Sequence, residues 1–287
     1  MSDLTCDLRL GRYQDVLGDV ECDALIVDAP YSARTHGGHD RQTRNINDWN
    51  ATGLNPYARS THDTHRADGS PAYESSGQPY GNPARWTIQR RAIDYDGWTP
   101  DDVAEFGAFW RDRCRGWWVS ITDHVLAPVW ADVMAQQGLY VFAPLPWFAP
   151  GSRVRLAGDG PSSWTCWIIV GRPRTGEDRN GRPYSKWGTL PGGYVVTSGQ
   201  NGGFSASRSI VVGGKPLSLM EAIISDYSRP GDTVCDPCAG GGTTLLAARK
   251  LGRHAIGAEM DPDTHRKASA RLGLVDTSHE LPLFGGP

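Results

Sequence analysis

Apolar positions along this chain cluster in short runs separated by polar stretches. Residues 23–28 (DALIVD) are an apolar run ending on a carboxylate, which predicts a buried parallel strand. Residues 100–115 show helical spacing. Thr99 stands at the N-cap position, and Val103, Phe106, Phe109 and Trp110 share one face. A strand is expected at 116–122, a helix at 125–137 stopped by Gly138, and a strand at 139–148 running into a proline-broken loop. Another buried strand is expected at 164–172. The helix predicted at 216–228 aligns Leu219, Met220, Ile223, Ile224 and Tyr227. A turn and strand (231–237), a helix from about Thr243, a strand ending in Glu259 and a helix at 262–272 follow. Strands alternating with helices predict an α/β fold: a doubly wound, mostly parallel sheet.

Two stretches break this pattern. Residues 35–92 are rich in Gly, Pro, Asn, Ser, Thr and His and lack periodicity, as do 171–214. The chain has 287 residues, of which 35 are Gly and 20 Pro, so long loops on a globular body are expected. A net charge of −3 excludes a generally basic nucleic-acid coat. Residues 151–215 nevertheless carry nine basic against three acidic residues. Tyr184, Trp187, Tyr194 and Phe204 are interleaved among them, a combination that suits a nucleic-acid surface. No apolar run reaches the ~20 residues that span a bilayer, and the first twelve residues do not read as a signal peptide. The expectation is a cytoplasmic protein with no membrane partner. Its six cysteines are then read as reduced, mostly buried thiols.

The densest chemistry lies at Asp236-Pro-Cys-Ala239-Gly240-Gly-Gly242-Thr243, between a strand and a helix. Glycines there permit a tight turn and close approach by a ligand, and the helix start offers free N–H groups. Glu259, at the end of the next strand, suits the two hydroxyls of a ribose. No Gly-Lys-Ser/Thr follows, which excludes a phosphate-loop site, and G-x-G-x-x-G is absent. Asp236 repels a pyrophosphate but attracts an ammonium or sulfonium group. S-adenosylmethionine carries both, together with a ribose. Cys235-x-x-Cys238 has no second pair to complete a zinc site, so no metal is expected.

Asp28-Ala29-Pro30-Tyr31 ends the first strong strand, at the sheet edge where doubly wound folds bind ligands. Together with Lys215-Pro216, Asp236-Pro-Cys-Ala-Gly-Gly-Gly-Thr243, Gly252-Arg253, Glu259 and Arg271-Leu272, it resembles the amino-group DNA methyltransferases. Those enzymes methylate N6 of adenine or N4 of cytosine. The catalytic motif precedes the cofactor motif, as in the circularly permuted beta group. The resemblance implies a Rossmann-like S-adenosylmethionine-dependent methyltransferase fold with loop-rich insertions. It implies a catalytic domain formed by 1–34, 96–170 and 213–275, a loop-rich insertion at 35–95, a target-recognition region at 171–212 and a C-terminal tail at 276–287. Two positions depart from the pattern. Ala29 replaces a usual Pro, and Gly11-Arg12 stands where Gly-Asp is usual, with Asp7 or Asp15 as substitute carboxylates.

The implied reaction is methyl transfer to N6 of a flipped-out adenine in double-stranded DNA. Asp28 and a main-chain carbonyl near Ala29–Pro30 accept the two N–H bonds of the amine, Pro30 stiffens the loop and Tyr31 stacks on the base. Asp236, Ala239, Gly240, Gly242, Thr243, Glu259 and Lys215 are expected at the cofactor. The alternatives are an N4-cytosine enzyme and a catalytically inactive DNA-binding protein on the same fold, the latter motivated by Arg12 and Ala29. His36, His39, His62 and His65 are too spread for a compact metal site. A loop closing over DNA, with Arg34, Arg41 and Arg44 near phosphates, suits them better. The pattern is compatible with a homodimer and does not identify a partner nuclease.

Overall fold

The computed structural model describes residues 4–35, 95–150, 163–196 and 214–274. Expectations for His36, His39, Arg41, Arg44, His62, His65, Phe204 and the tail fall outside the described residues, as does most of the 35–95 insertion. Among the described residues, nine strands form one sheet: β1 (Cys6–Leu10), β2 (Cys22–Val27), β3 (Cys114–Thr122), β4 (Leu139–Val141), β5 (Leu145–Phe148), β6 (Thr165–Pro173), β7 (Tyr194–Val195), β8 (Thr233–Asp236) and β9 (His254–Glu259). The order is β1-β9-β8-β2-β3-β6-β5-β7, with β4 also on β6. Strands from β1 to β3 run parallel, and β6 runs antiparallel to β3, β4 and β5. The mostly parallel doubly wound sheet is therefore present.

Helices cover both faces. On one side, α1 (Tyr13–Val16), α2 (Pro100–Trp110) and α3 (Ala127–Gln136) bury Tyr13, Phe106, Trp110, Trp130 and Met134 against β2, β3 and β6. On the other, α4 (Leu217–Tyr227), α5 (Thr243–Lys250) and α6 (Pro262–Leu272) bury Leu219, Ile223, Tyr227, Leu245 and Leu272. Each such side chain contributes about 1.5–3 kcal/mol on burial. Local signals agree with these packings. The Thr99 side chain accepts from the Asp102 N–H, and the Asp102 carboxylate accepts from the Thr99 N–H, a reciprocal cap on α2.

Three expectations on elements change. β1 has no counterpart among the predicted strands, because its alternating Cys-Asp-Leu-Arg-Leu pattern buries only Leu8. Helix α2 ends at Trp110 instead of 115, since Cys114 already pairs with Cys22 as the start of β3. The single strand expected at 139–148 is two, β4 and β5, both on β6; the prolines between and within them remove backbone donors. Gly116 explains why β3 can start so close to β2: a Cβ there would lie 1.8 Å from the Asp23 carbonyl oxygen.

Candidate active site

The strand order reverses between β8 and β2. From β8 the chain winds through α5 to β9 on one side; from β2 it passes through α2 to β3 on the other. Crevices at such reversals, beyond the carboxyl ends of the strands, are where ligands enter doubly wound sheets. Asp236 ends β8 and Asp28 directly follows β2, on neighbouring parallel strands with Leu25 paired to Cys235. The sheet thus brings together two carboxylates separated by about 200 residues of sequence.

Asp236 is 1% exposed. Burial pushes its carboxyl up to about 7; hydrogen bonds from the Thr244 hydroxyl and the Cys238 N–H oppose the shift, and the charges of Asp28 and Glu259 add to it. The Thr243 Oγ1 accepts from Arg271, whose Nη1 also donates to the Gly241 carbonyl at 2.8 Å. Arg271 of α6 therefore clamps the glycine loop, a role invisible in the sequence motif. Gly240 (φ 51°) and Gly242 (φ 71°) occupy the left-handed region, and Gly242 caps α5. Ala239 is buried, donates to the Ala258 carbonyl and accepts from the Gly242 N–H.

Glu259 is half-buried, and burial raises its carboxyl. Its Oε2 accepts from the Gly240 N–H at 2.9 Å and its Oε1 from the Asp261 N–H at 2.8 Å. It holds the glycine loop to β9, and a carboxylate's lone pairs exceed the backbone donors that reach it, which leaves capacity for a hydroxyl donor. Close packing of β8 on β9 depends on Gly257, where a Cβ would lie 2.6 Å from the Asp236 carbonyl oxygen. Of the two carboxylates weighed as substitutes beside Gly11-Arg12, Asp7 is excluded. It pairs with Arg9 and lines a shallow cavity with Thr5, Asp19, Glu21 and His254, at the amino ends of the strands. Asp15 is exposed on α1.

Lys215, expected at the cofactor, lies beside Asp28 and Tyr31. Its Nζ donates to Asp28 Oδ2 at 2.5 Å and lies 4.9 Å from the centre of the Tyr31 ring. The Tyr31 hydroxyl meets Cys166 Sγ of β6 at 3.1 Å. Asp28, Tyr31 and Lys215 thus form one cluster, and Pro30 is half-buried beside them. Tyr95 joins this edge without any sequence signal. Partial burial, with the carboxylates of Asp28 and Glu259, pushes its phenol up to about 12. The Cys235 and Cys238 thiols are both pushed up by burial, which favours their protonated form.

Three of the four aromatics read as a nucleic-acid surface are core instead. Tyr184, Trp187 and Tyr194 are 7–9% exposed. Arg182 pairs with Asp178 and Asp232, while Arg179 lies near Glu21 and Asp23. Residues 178–187 therefore contact the amino ends of β2 and β8, the edge opposite Asp28. The chain returns to the carboxyl edge at Tyr194–Val196, where Trp147 Nε1 donates to the Val196 carbonyl.

The profile of the N6/N4 methyltransferase family, described as DNA methylase, matches residues 204–270. The Type II methyltransferase M.HindIII of Haemophilus influenzae is 43% identical over 70 residues, 24% of this chain and 23% of the relative, so the match spans under a quarter of that protein. The crystal structure of the M1.HpyAVI–SAM complex is similar in fold, with a TM-score of 0.55 and 18% identity over 93% of this chain and 99% of the other. The cytosine-N4-specific PvuII DNA methyltransferase gives a TM-score of 0.55 at 13% identity over 96% of this chain and 89% of the other. Among the described residues no helix is long and apolar enough to cross a membrane.

Proposed function

We propose that this chain, whose resemblance to the amino-group DNA methyltransferases is borne out by profile and fold, transfers a methyl group from S-adenosylmethionine to an exocyclic amine of DNA, at N6 of adenine. One observation carries the reading: Asp236 and Asp28 share the crevice at the sheet's reversal, one in the glycine-loop motif and the other in the Asp-Ala-Pro-Tyr motif.

The residues fit the cofactor. Asp236 is a buried carboxylate in need of a cation, Gly240 and Gly242 leave the loop open to close approach, and Glu259 keeps lone pairs for ribose hydroxyls. Asp236, Ala239, Gly240, Gly242 and Glu259 would hold it; Thr243 supports the loop through Arg271. Bound there, S-adenosylmethionine supplies an electrophilic methyl group.

The chain's own residues prepare the nucleophile. An exocyclic amine is weakly nucleophilic because its lone pair is delocalised into the base. Asp28 and a carbonyl at Ala29–Pro30 accept its two N–H bonds, favour a pyramidal nitrogen and aim the lone pair outward. Tyr31 stacks on the base, and Cys166 holds the ring by its hydroxyl. Lys215 occupies Asp28 in the free protein with the kind of N–H donation the target amine must make. It yields or shares that oxygen when the base enters. The work is mostly positioning.

The described residues that flank 36–94, 151–162 and 197–213 lie at this carboxyl edge. Thr35 and Tyr95, on either side of 36–94, lie near the Ser32–Trp98 bridge. Residues 151–162 join the β5 and β6 ends, and 197–213 run from Val196 to Lys215. We assign DNA contact to these segments, with recognition by 197–212 in place of the whole 171–212 region.

Asp at the first motif position favours adenine. The cytosine-N4 reading is the alternative, supported by the likeness to the PvuII enzyme's fold. The test is methyl transfer from labelled S-adenosylmethionine to unmethylated double-stranded DNA, followed by nucleoside mass spectrometry. N6-methyladenine is expected. N4-methylcytosine changes only the base, and absence of any methylated nucleoside overturns the reading.

A further inference from the structure

Asp123, which no sequence motif singled out, directly follows β3 at the same carboxyl edge and is 3% exposed. Its two oxygens serve different segments. Oδ1 accepts from the Val125 and Leu126 N–H groups at 3.0 and 2.9 Å, in the turn that leads into α3. Oδ2 accepts from the Ser32 N–H at 3.0 Å, the Ser32 hydroxyl at 2.5 Å and the Thr35 hydroxyl. Burial alone would raise this carboxyl, but the donors from Ser32, Thr35 and Leu126 outweigh it and hold it below its ordinary value. The group is therefore an anion at neutral pH with five donors.

A helix cap needs one oxygen. The second is committed to the segment that starts one residue after Tyr31. That segment is gripped from its other side as well. The Trp98 N–H donates to the Tyr31 carbonyl at 3.0 Å, and Gly97 lies so close that a Cβ would sit 2.5 Å from the Ala33 nitrogen. The backbone from Tyr31 to Thr35 is thus fixed between the ends of two elements.

Resting on the proposed function, we infer that Asp123 is a positioning residue for methyl transfer. Through Ser32 and Thr35 it fixes the backbone carrying the Ala29–Pro30 carbonyl and the Tyr31 ring, without touching substrate or cofactor. Its charge matters as well as its shape. In Asp123→Asn the amide NH2 must face either the Ser32 donors or the Val125 and Leu126 N–H groups, so one set loses its acceptor. A displacement of about 1 Å in a positioned group costs on the order of 100-fold in rate.

The experiment measures single-turnover methyl transfer to DNA, cofactor Kd by calorimetry and Tm for wild type, Asp123→Asn, Ser32→Ala and Ser32→Thr. Expected are losses of about 100-fold for Asp123→Asn and about 10-fold for Ser32→Ala. Ser32→Thr should restore most of the rate, and cofactor Kd should stay within about threefold throughout. Ser32→Ala removes only the hydroxyl donor, so it remains informative if Asp123→Asn does not fold. Wild-type rate in Ser32→Ala, or a rate loss matched by an equal loss of cofactor affinity, overturns the inference while leaving the proposed function standing. A wild-type protein silent on DNA overturns the proposed function itself.

Discussion

Single carboxylates set the chemistry here, and their environments separate their roles. Asp236 is buried and pushed up to about 7, whereas a cation-binding group must be ionised. Cofactor affinity should therefore rise with pH through about 7 and fall roughly tenfold per unit well below it. Calorimetry at pH 5.5 to 8.5 measures this, and a flat profile would remove Asp236 from the cofactor's cation. The same shift has a stability consequence of opposite use. The folded carboxyl binds its proton more tightly than the unfolded one, so this group costs stability as pH rises from about 4 to 7. Asp236→Asn should raise the Tm of the free protein at pH 8 while abolishing cofactor binding; a lowered Tm contradicts the sign.

Lys215 separates the two halves of the site by a similar contrast. Its ammonium lies on Asp28 and over Tyr31, so Lys215→Ala should slow transfer about tenfold and leave cofactor Kd within about threefold. A tenfold weaker Kd with an intact saturated rate would return Lys215 to the cofactor. Asp28→Ala should eliminate transfer with the same small effect on Kd.

Between elements, the site depends on how closely parallel strands approach. Gly257→Ala places a methyl group against the Asp236 carbonyl, a backbone atom that cannot swing away. The β8–β9 pair must open, carrying the glycine loop with it. We expect a Tm lowered by several degrees and cofactor affinity reduced at least tenfold; unchanged values for both would show that the strands absorb the methyl. Much at this scale was legible in advance. The capped α2, the apolar face of α4 and the glycine turn into α5 each follow from local residue chemistry. The end of α2 and the division of residues 139–148 were not, because β6 and β2 decide them through pairing partners distant in sequence.

Across the whole molecule, the described body places its catalytic candidates on one edge, where the residues flanking 36–94, 151–162 and 197–213 also lie. Replacing 36–94 with a short Gly/Ser linker should retain Tm and cofactor binding, since Ser32 and Trp98 already meet. DNA affinity and its salt dependence should drop, because the replaced segment carries seven arginines available to phosphates. A salt slope equal to wild type would locate DNA binding elsewhere.

The amino-acid sequence alone determined the α/β class, the glycine loop with its flanking acids, and the Asp-Ala-Pro-Tyr turn. Each of these is written in contiguous residues whose spacing and backbone freedom act locally. Only the tertiary structure decided that Lys215 lies on Asp28, that Thr244 reaches Asp236 while Thr243 accepts from Arg271, and that Tyr184, Trp187 and Tyr194 are core. It also joined Asp123 to Ser32, 91 residues apart. Such assignments depend on which strand ends become neighbours, and burial in a shared crevice then sets which charges, hydroxyls and rings must satisfy one another.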